Sequence, residues 1–160
     1  MRSGHNRGED AQRFMALALN LAEKAFAAGE TPVGAVVVRD GLVLGTGYNR
    51  VEQDKDPTAH AEIVALREAT AKVRDWRLPG STVYVTLEPC IMCSAALLAA
   101  RVERVVFGAW DHRWGGLGSL FDLSRDPRIN HELEVISGVM SEQAAALMKA
   151  FFENLRRGEG

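Results

Sequence analysis

A layered α/β domain with a mixed sheet is predicted by three features of the chain. A hairpin signal stands near its start, helical and strand-like apolar periods alternate after that hairpin, and the length of 160 residues suits one domain rather than two. Residues 10–28 place Phe14, Leu17, Leu21 and Phe26 at near-helical spacing behind Glu9 and Asp10 and ahead of Gly29, which predicts an amphipathic first helix. Residues 33–38 and 42–48 are apolar or β-branched runs joined by Arg39, Asp40 and Gly41, and Asp-Gly supplies the positive φ of a tight hairpin. The polar stretch 51–56 ends at Pro57, and residues 60–73 return to a helical period through Ile63, Leu66 and Ala69. A strand over 82–87, a helix from Pro89 to about Ala100 and a strand over 104–107 then form a strand, helix, strand unit. Residues 111–119, rich in glycine, read as an ordered loop, 133–139 as a fifth strand, and Ser141 as the cap of a last helix reaching Arg157.

Composition narrows the function classes. Hydrophobic residues make up 47% and charged residues 25%, the balance of a globular chain rather than a disordered one. Asn20, Arg39 and Ser94 break the apolar runs well short of the roughly 18 residues that a bilayer span needs, so no membrane association is expected. The start, MRSGHNRGED, lacks the apolar core of a signal peptide, and a cytoplasmic protein is expected, with residues 1–9 a flexible tail on one domain covering 1–160. Net charge is -2, which gives no whole-molecule attraction to nucleic acid. A polyanion must be met by a local patch, for which Arg50, Lys55, Arg113 and Arg156 are the candidates. The two cysteines, Cys90 and Cys93, exclude a disulfide scaffold.

The chemistry concentrates in two helix starts. His60-Ala61-Glu62 opens one and Pro89-Cys90-Ile91-Met92-Cys93 the other. Residues two apart diverge on a regular helix, but at its first turn His60 and Glu62 can both reach past the end. Cys90 and Cys93, three apart, share a helix face and can share a tetrahedral zinc. With His60 they make three protein ligands, and a fourth position left for water marks a catalytic rather than a structural site. His5, His112 and His131 remain alternative fourth ligands. Two thiolates and an imidazole neutralise the metal, so a water there still needs a base, and Glu62 is placed to be it. Taken singly, His-x-Glu occurs by chance and Pro-Cys-x-x-Cys also suits a redox pair. Together, in this order, they are the known signature of zinc deaminases, so this assignment is recognition.

The stretches PVGAVVV, GYNR, DPTAHAEIVALREA, VYVTLEPCIMCSAAL, RVVFGA, GSLFDL and INHELEV cover nearly the whole chain, and it resembles the bacterial tRNA-specific adenosine deaminase family. That resemblance implies a cytidine-deaminase-like three-layer fold, a five-stranded mixed sheet between helices, and a homodimer. It implies conversion of the wobble adenosine of an arginine tRNA anticodon to inosine, with one zinc per chain held by His60, Cys90 and Cys93 and with Glu62 as proton shuttle. Asn49 is placed against the target base, where an amide suits a purine edge, although a polar turn after a strand is its other reading. Ala61 is grouped with the substrate contacts. Asp111 falls near the target nucleotide or caps a turn. Trp114 stacks on a base or covers core, and Arg113 and Arg156 are candidate RNA contacts. On the last helix Ala144, Leu147, Met148, Phe151 and Leu155 form an apolar stripe, so Phe151 reads as core, while Phe152 at its edge is a base-stacking candidate. The acidic loop 51–54 and the bulky Arg113-Trp114 depart from the family pattern. Rival readings are a deaminase of a free base or nucleoside, such as guanine or cytosine, and a non-catalytic RNA-binding or partner subunit.

Overall fold

The computed structural model describes residues 7–158. In chain order the elements are α1 (Arg7–Ala27), β1 (Gly34–Arg39), β2 (Leu42–Tyr48), α2 (Val51–Asp54), α3 (Ala61–Val73), β3 (Thr82–Leu87), α4 (Ile91–Ala99), β4 (Arg104–Ala109), a 3-10 turn (Leu123–Arg125), β5 (Glu134–Ile136) and α5 (Ser141–Gly158). The strands lie in the order β2-β1-β3-β4-β5. β1 is antiparallel to both β2 and β3, whereas β3, β4 and β5 run parallel. The hairpin turns through Asp40 (φ 54°) and Gly41 (φ 75°), both left-handed, as a two-residue turn matched to strand twist requires.

Both sheet faces are covered, which is why the central strands read as unbroken apolar runs. Ala35, Val37, Val83, Val85, Val105 and Phe107 pack toward Ala61, Ala65, Ala69, Leu97 and Leu98 of α3 and α4. Their neighbours Val36, Val38, Tyr84 and Val106 pack toward Phe14, Met15 and Ala18 of α1 and Ala144 of α5. The result is the expected three-layer fold. Against β2 the helix α3 sits on backbone: a Cβ on Gly45 would lie 2.4 Å from the Ala65 carbonyl oxygen, and one on Gly47 2.5 Å from that of Ala61. Alanines at 61, 65 and 69, one turn apart, complete this close approach.

Several boundaries differ from expectation, each for a physical reason. α1 begins at Arg7, so residues 7–9 are helical rather than tail, while 1–6 fall outside the described residues. Helix α4 begins at Ile91 rather than Pro89, because Cys90 is extended (φ -69°, ψ 175°) and caps it, its sulfur accepting from the Cys93 N–H at 3.4 Å. β5 pairs with β4 only over three residues, and past it Gly138 (φ 85°) turns the chain so that its N–H donates to the Gly108 carbonyl. The polar stretch expected to be loop folds at 51–54 into the one-turn α2, stabilised from outside by Glu30.

On α5 the stripe holds through Phe151 and fails at Leu155, which is 45% exposed. Phe151 is buried and meets Phe26 edge-on with ring centroids 5.9 Å apart. Phe152 is 38% exposed. Phe151→Ala is expected to cost about 3–5 kcal/mol of stability and Phe152→Ala about half of that or less. Thermal melts of the two variants check this, and equal losses would make Phe152 a core residue.

Candidate active site

Parallel strands in an α/β sheet end in loops that lead into helices, and here two helix starts meet at one edge of such loops. β3 runs out through Glu88 and Pro89 to Cys90, the N-cap of α4. His60 is the N-cap of α3, extended at φ -70°, ψ 157°. Capping positions free both side chains from the helical spiral, so they project past the helix ends toward each other. His60 Nδ1 lies 3.6 Å from Cys90 Sγ and 3.5 Å from Cys93 Sγ. Among the described residues the cluster holds these three members. No fourth histidine joins it: the His131 ring bonds to the Val102 carbonyl at 2.8 Å, His112 is exposed, and His5 is outside the described residues.

These spacings fit zinc. Bond lengths of 2.3 Å to sulfur and 2.0–2.1 Å to nitrogen at a tetrahedral angle put an S and an N ligand about 3.6 Å apart. The donor chemistry agrees. Hydrogen bonds from the Cys93 side chain, His60 and the Cys93 N–H hold the Cys90 thiol down to about 4. The Cys93 thiol is raised by donating to Cys90 and by burial. The His60 imidazole is raised by its hydrogen bond to Cys90. The protons that the pair and the imidazole share are those a divalent cation displaces on binding. Both helix N-termini add positive potential that favours the thiolates.

Glu62, in the first turn of α3, is 4% exposed, and burial pushes its carboxyl up to about 7. A carboxyl so poised can take a proton and give it back near neutral pH. Ala61, between ligand and acid, is fully buried against the sheet.

The loop 111–119 closes over the cysteine segment through backbone bonds. The Ile91 N–H donates to the Trp114 carbonyl at 3.2 Å and the Gly116 N–H to that of Pro89 at 2.8 Å. Its shape is held by a residue that sequence reading passed over. Buried Glu88 accepts from the N–H groups of Asp111 (3.0 Å), Leu117 (3.1 Å) and Ser119 (3.0 Å), and from the Ser119 hydroxyl. Asp111 Oδ1 accepts from the Arg113 N–H (3.1 Å) and the Trp114 N–H (3.4 Å), which is its turn-capping reading. Trp114 is 63% exposed and covers no core.

Asn49 directly follows β2. It is buried, and its Nδ2 donates to Glu30 Oε1 at 3.4 Å. The next residue, Arg50, donates its N–H to the Ala59 carbonyl (2.9 Å), beside His60. The Arg50 guanidinium is taken by Asp54 (3.1–3.2 Å) and by the Tyr48 hydroxyl (3.1 Å), which weakens its candidacy as a phosphate contact. Phe152 and Arg156 lie on α5, across the sheet from the donors. The Phe151–Phe26 contact sets that part of α5 against the end of α1, from which the chain leads to Glu30. Glu30 is the second residue that sequence reading missed. For Glu88 the one local signal is a carboxylate adjoining an apolar strand, whereas Glu30, separated from β1 by Thr31, Pro32 and Val33, carries no local signal.

Three layers, a mixed five-stranded sheet and a His-Cys-Cys cluster beside a buried carboxyl define a zinc-dependent deaminase. The model of the cytidine and deoxycytidylate deaminase zinc-binding region matches residues 8–109. A tRNA-specific adenosine deaminase of Haemophilus influenzae is 48% identical over 151 residues, covering 94% of this chain and 87% of that protein. A structure from work on A-to-I editing by tRNA:A34 deaminases at the wobble position superposes with a TM-score of 0.82. It is 41% identical, and the match covers 84% of this chain and 98% of that one. A guanine deaminase from Nitrosomonas europaea superposes at 0.74 with 27% identity, over 88% of this chain and 83% of that one. The chain belongs to the cytidine and deoxycytidylate deaminase family, and within it to the tRNA-specific adenosine deaminases.

Proposed function

We propose that this protein converts the wobble adenosine of a tRNA anticodon, that of an arginine tRNA, to inosine. The observation that carries the reading is the zinc-spaced triad His60, Cys90, Cys93 with buried Glu62 at the start of the same helix as His60. Zinc bound there supplies Lewis acidity, which makes water a usable nucleophile at neutral pH. Glu62 takes a proton from the water that attacks C6 of adenine and delivers it to N1. It then moves the second proton to the exocyclic amine, so that the C6–N bond breaks and ammonia leaves. An anticodon loop suits this site because a loop nucleotide is splayed out at lower cost than one in a duplex.

In this reading Asn49 and Ala61 meet the base from the α3 side, Ala61 through its backbone because its side chain is buried against the sheet, and Asp111, Arg113 and Trp114 meet it from the loop over α4. Exposed Trp114 and Phe152 offer aromatic faces for flanking bases, and Arg113, Lys55 and Arg156 offer charge to phosphates. The chain works as a homodimer in the cytoplasm. The exposed apolar side chains of Trp110, Leu120 and Phe121 support a second copy on this face, and among the described residues no helix is long and apolar enough to cross a membrane.

The test is to incubate the zinc protein with tRNA carrying adenosine at the wobble position, and separately with free adenosine, guanine and cytosine. Inosine at that one position is expected, with log KM rising with log salt by about 0.7 for each phosphate neutralised on a single strand. Deamination of free guanine without tRNA turnover would overturn the substrate and favour the likeness to the guanine deaminase.

A further inference from the structure

Glu30 is a carboxylate buried to 1% exposure, 30 residues from the nearest metal ligand in sequence and outside the proton-transfer route. A buried charge is retained at a cost unless its lone pairs are satisfied, and all its partners are donors. Oε1 accepts from Asn49 Nδ2 (3.4 Å) and from the Glu52 N–H (3.1 Å), and Oε2 accepts from the Gln53 N–H (2.7 Å). The last two bonds cap the single turn α2, which no side chain of its own caps. The first bears on the base-facing wall.

An isolated asparagine amide can turn over and offer either its oxygen or its nitrogen in the same direction. Beside a carboxyl whose oxygens accept from N–H donors on every side that freedom is gone, because turning Oδ1 toward Glu30 would bring two acceptors together. We infer that Glu30 is the positioning residue for base recognition: it fixes the Asn49 amide with Nδ2 inward, leaving Oδ1 and the remaining Nδ2 hydrogen for the target base. This rests on the reading that Asn49 meets that base. Glu30 then holds the Asn49 side chain, the Asn49 N–H to Val33 carbonyl bond (3.1 Å) holds its backbone, and the Arg50 N–H to Ala59 bond in the next residue ties this segment to the catalytic turn.

Replacing Glu30 with glutamine keeps the shape and removes the enforcement, since a Gln amide can meet the Asn49 amide either way up, its oxygen on Asn49 Nδ2 or its NH2 on Asn49 Oδ1. The experiment is a double-mutant cycle with E30Q, N49A and E30Q/N49A, measured as kcat and KM on wobble-adenosine tRNA, with zinc content and melting temperature recorded for each. N49A is expected to lower kcat/KM by about tenfold or more, and E30Q by about tenfold at unchanged zinc content. The double variant is expected to match N49A within about twofold, because Glu30 has nothing left to orient. A purely structural role would make the two losses multiply, and that outcome, or wild-type kinetics for E30Q, overturns the inference. Wild-type kinetics for N49A in an enzyme that makes inosine would remove Asn49 from recognition and the inference with it. Absence of inosine from the wild-type protein would instead overturn the proposed substrate. If E30Q does not fold, E30D and E30D/N49A complete the same cycle, since aspartate is one methylene too short to reach Asn49 Nδ2, already 3.4 Å from the Glu30 carboxyl.

Discussion

Glu62→Ala is expected to keep its zinc and its melting temperature and to lose turnover by about 10²- to 10⁴-fold, the range general acid-base groups contribute. The metal should stay because Glu62 is outside the donor triad, whose members lie 3.5–3.6 Å from His60 Nδ1. Rate should fall because no other carboxyl in the first turn of α3 can move the two protons that hydrolysis requires. Stability should change little, since removing a buried carboxyl also removes the cost of keeping it dry. Single-turnover deamination with excess enzyme, alongside metal analysis and melting, separates the three. Near-normal single-turnover rates would take Glu62 out of the mechanism.

Cys93→Ala is expected to abolish zinc binding and activity together. Cys93 is fully buried, and its backbone N–H also donates to Cys90, so it is the inner member of the triad. Two remaining donors, one thiolate and one imidazole, leave half of a tetrahedral shell open to water, short of the three protein ligands a catalytic zinc keeps. Metal analysis after dialysis should fall from one zinc per chain toward none. Retention of a full equivalent would overturn the ligand assignment, whatever happened to activity.

The chemistry was legible in the sequence because it is local. Cys90 and Cys93 are one turn apart, His60 and Glu62 share a first turn, and a helix start is a feature that spacing announces. The strands were legible for a related reason, since burial on both faces writes itself as apolar runs such as those of β1 and β3. Illegible were the features held by bonds between distant parts of the chain. The turn α2 carries acidic residues and no cap, and it folds because Glu30 reaches it from more than 20 residues away. The loop 111–119 owes its shape to Glu88, again more than 20 residues distant. A local pattern of polarity and period holds no record of such a partner. Leu155 shows the converse: periodicity extends its stripe, but one turn past buried Phe151 it is 45% exposed, and period alone does not say where packing stops.

The backbone contact between α3 and β2 has a consequence for how the enzyme tolerates change. Since Gly45 and Gly47 leave no side chains in that gap, its width is set by atomic radii alone, and it serves as a datum face from which the placement of His60 and Glu62 is measured. Exposed positions on the far side of the same helix, such as Arg67, Glu68 and Lys72, can drift through many generations without moving either residue. A single added methyl in the gap would instead shift His60 and Glu62 as one piece relative to Cys90 and Cys93, leaving each half of the site intact and the two halves out of gauge.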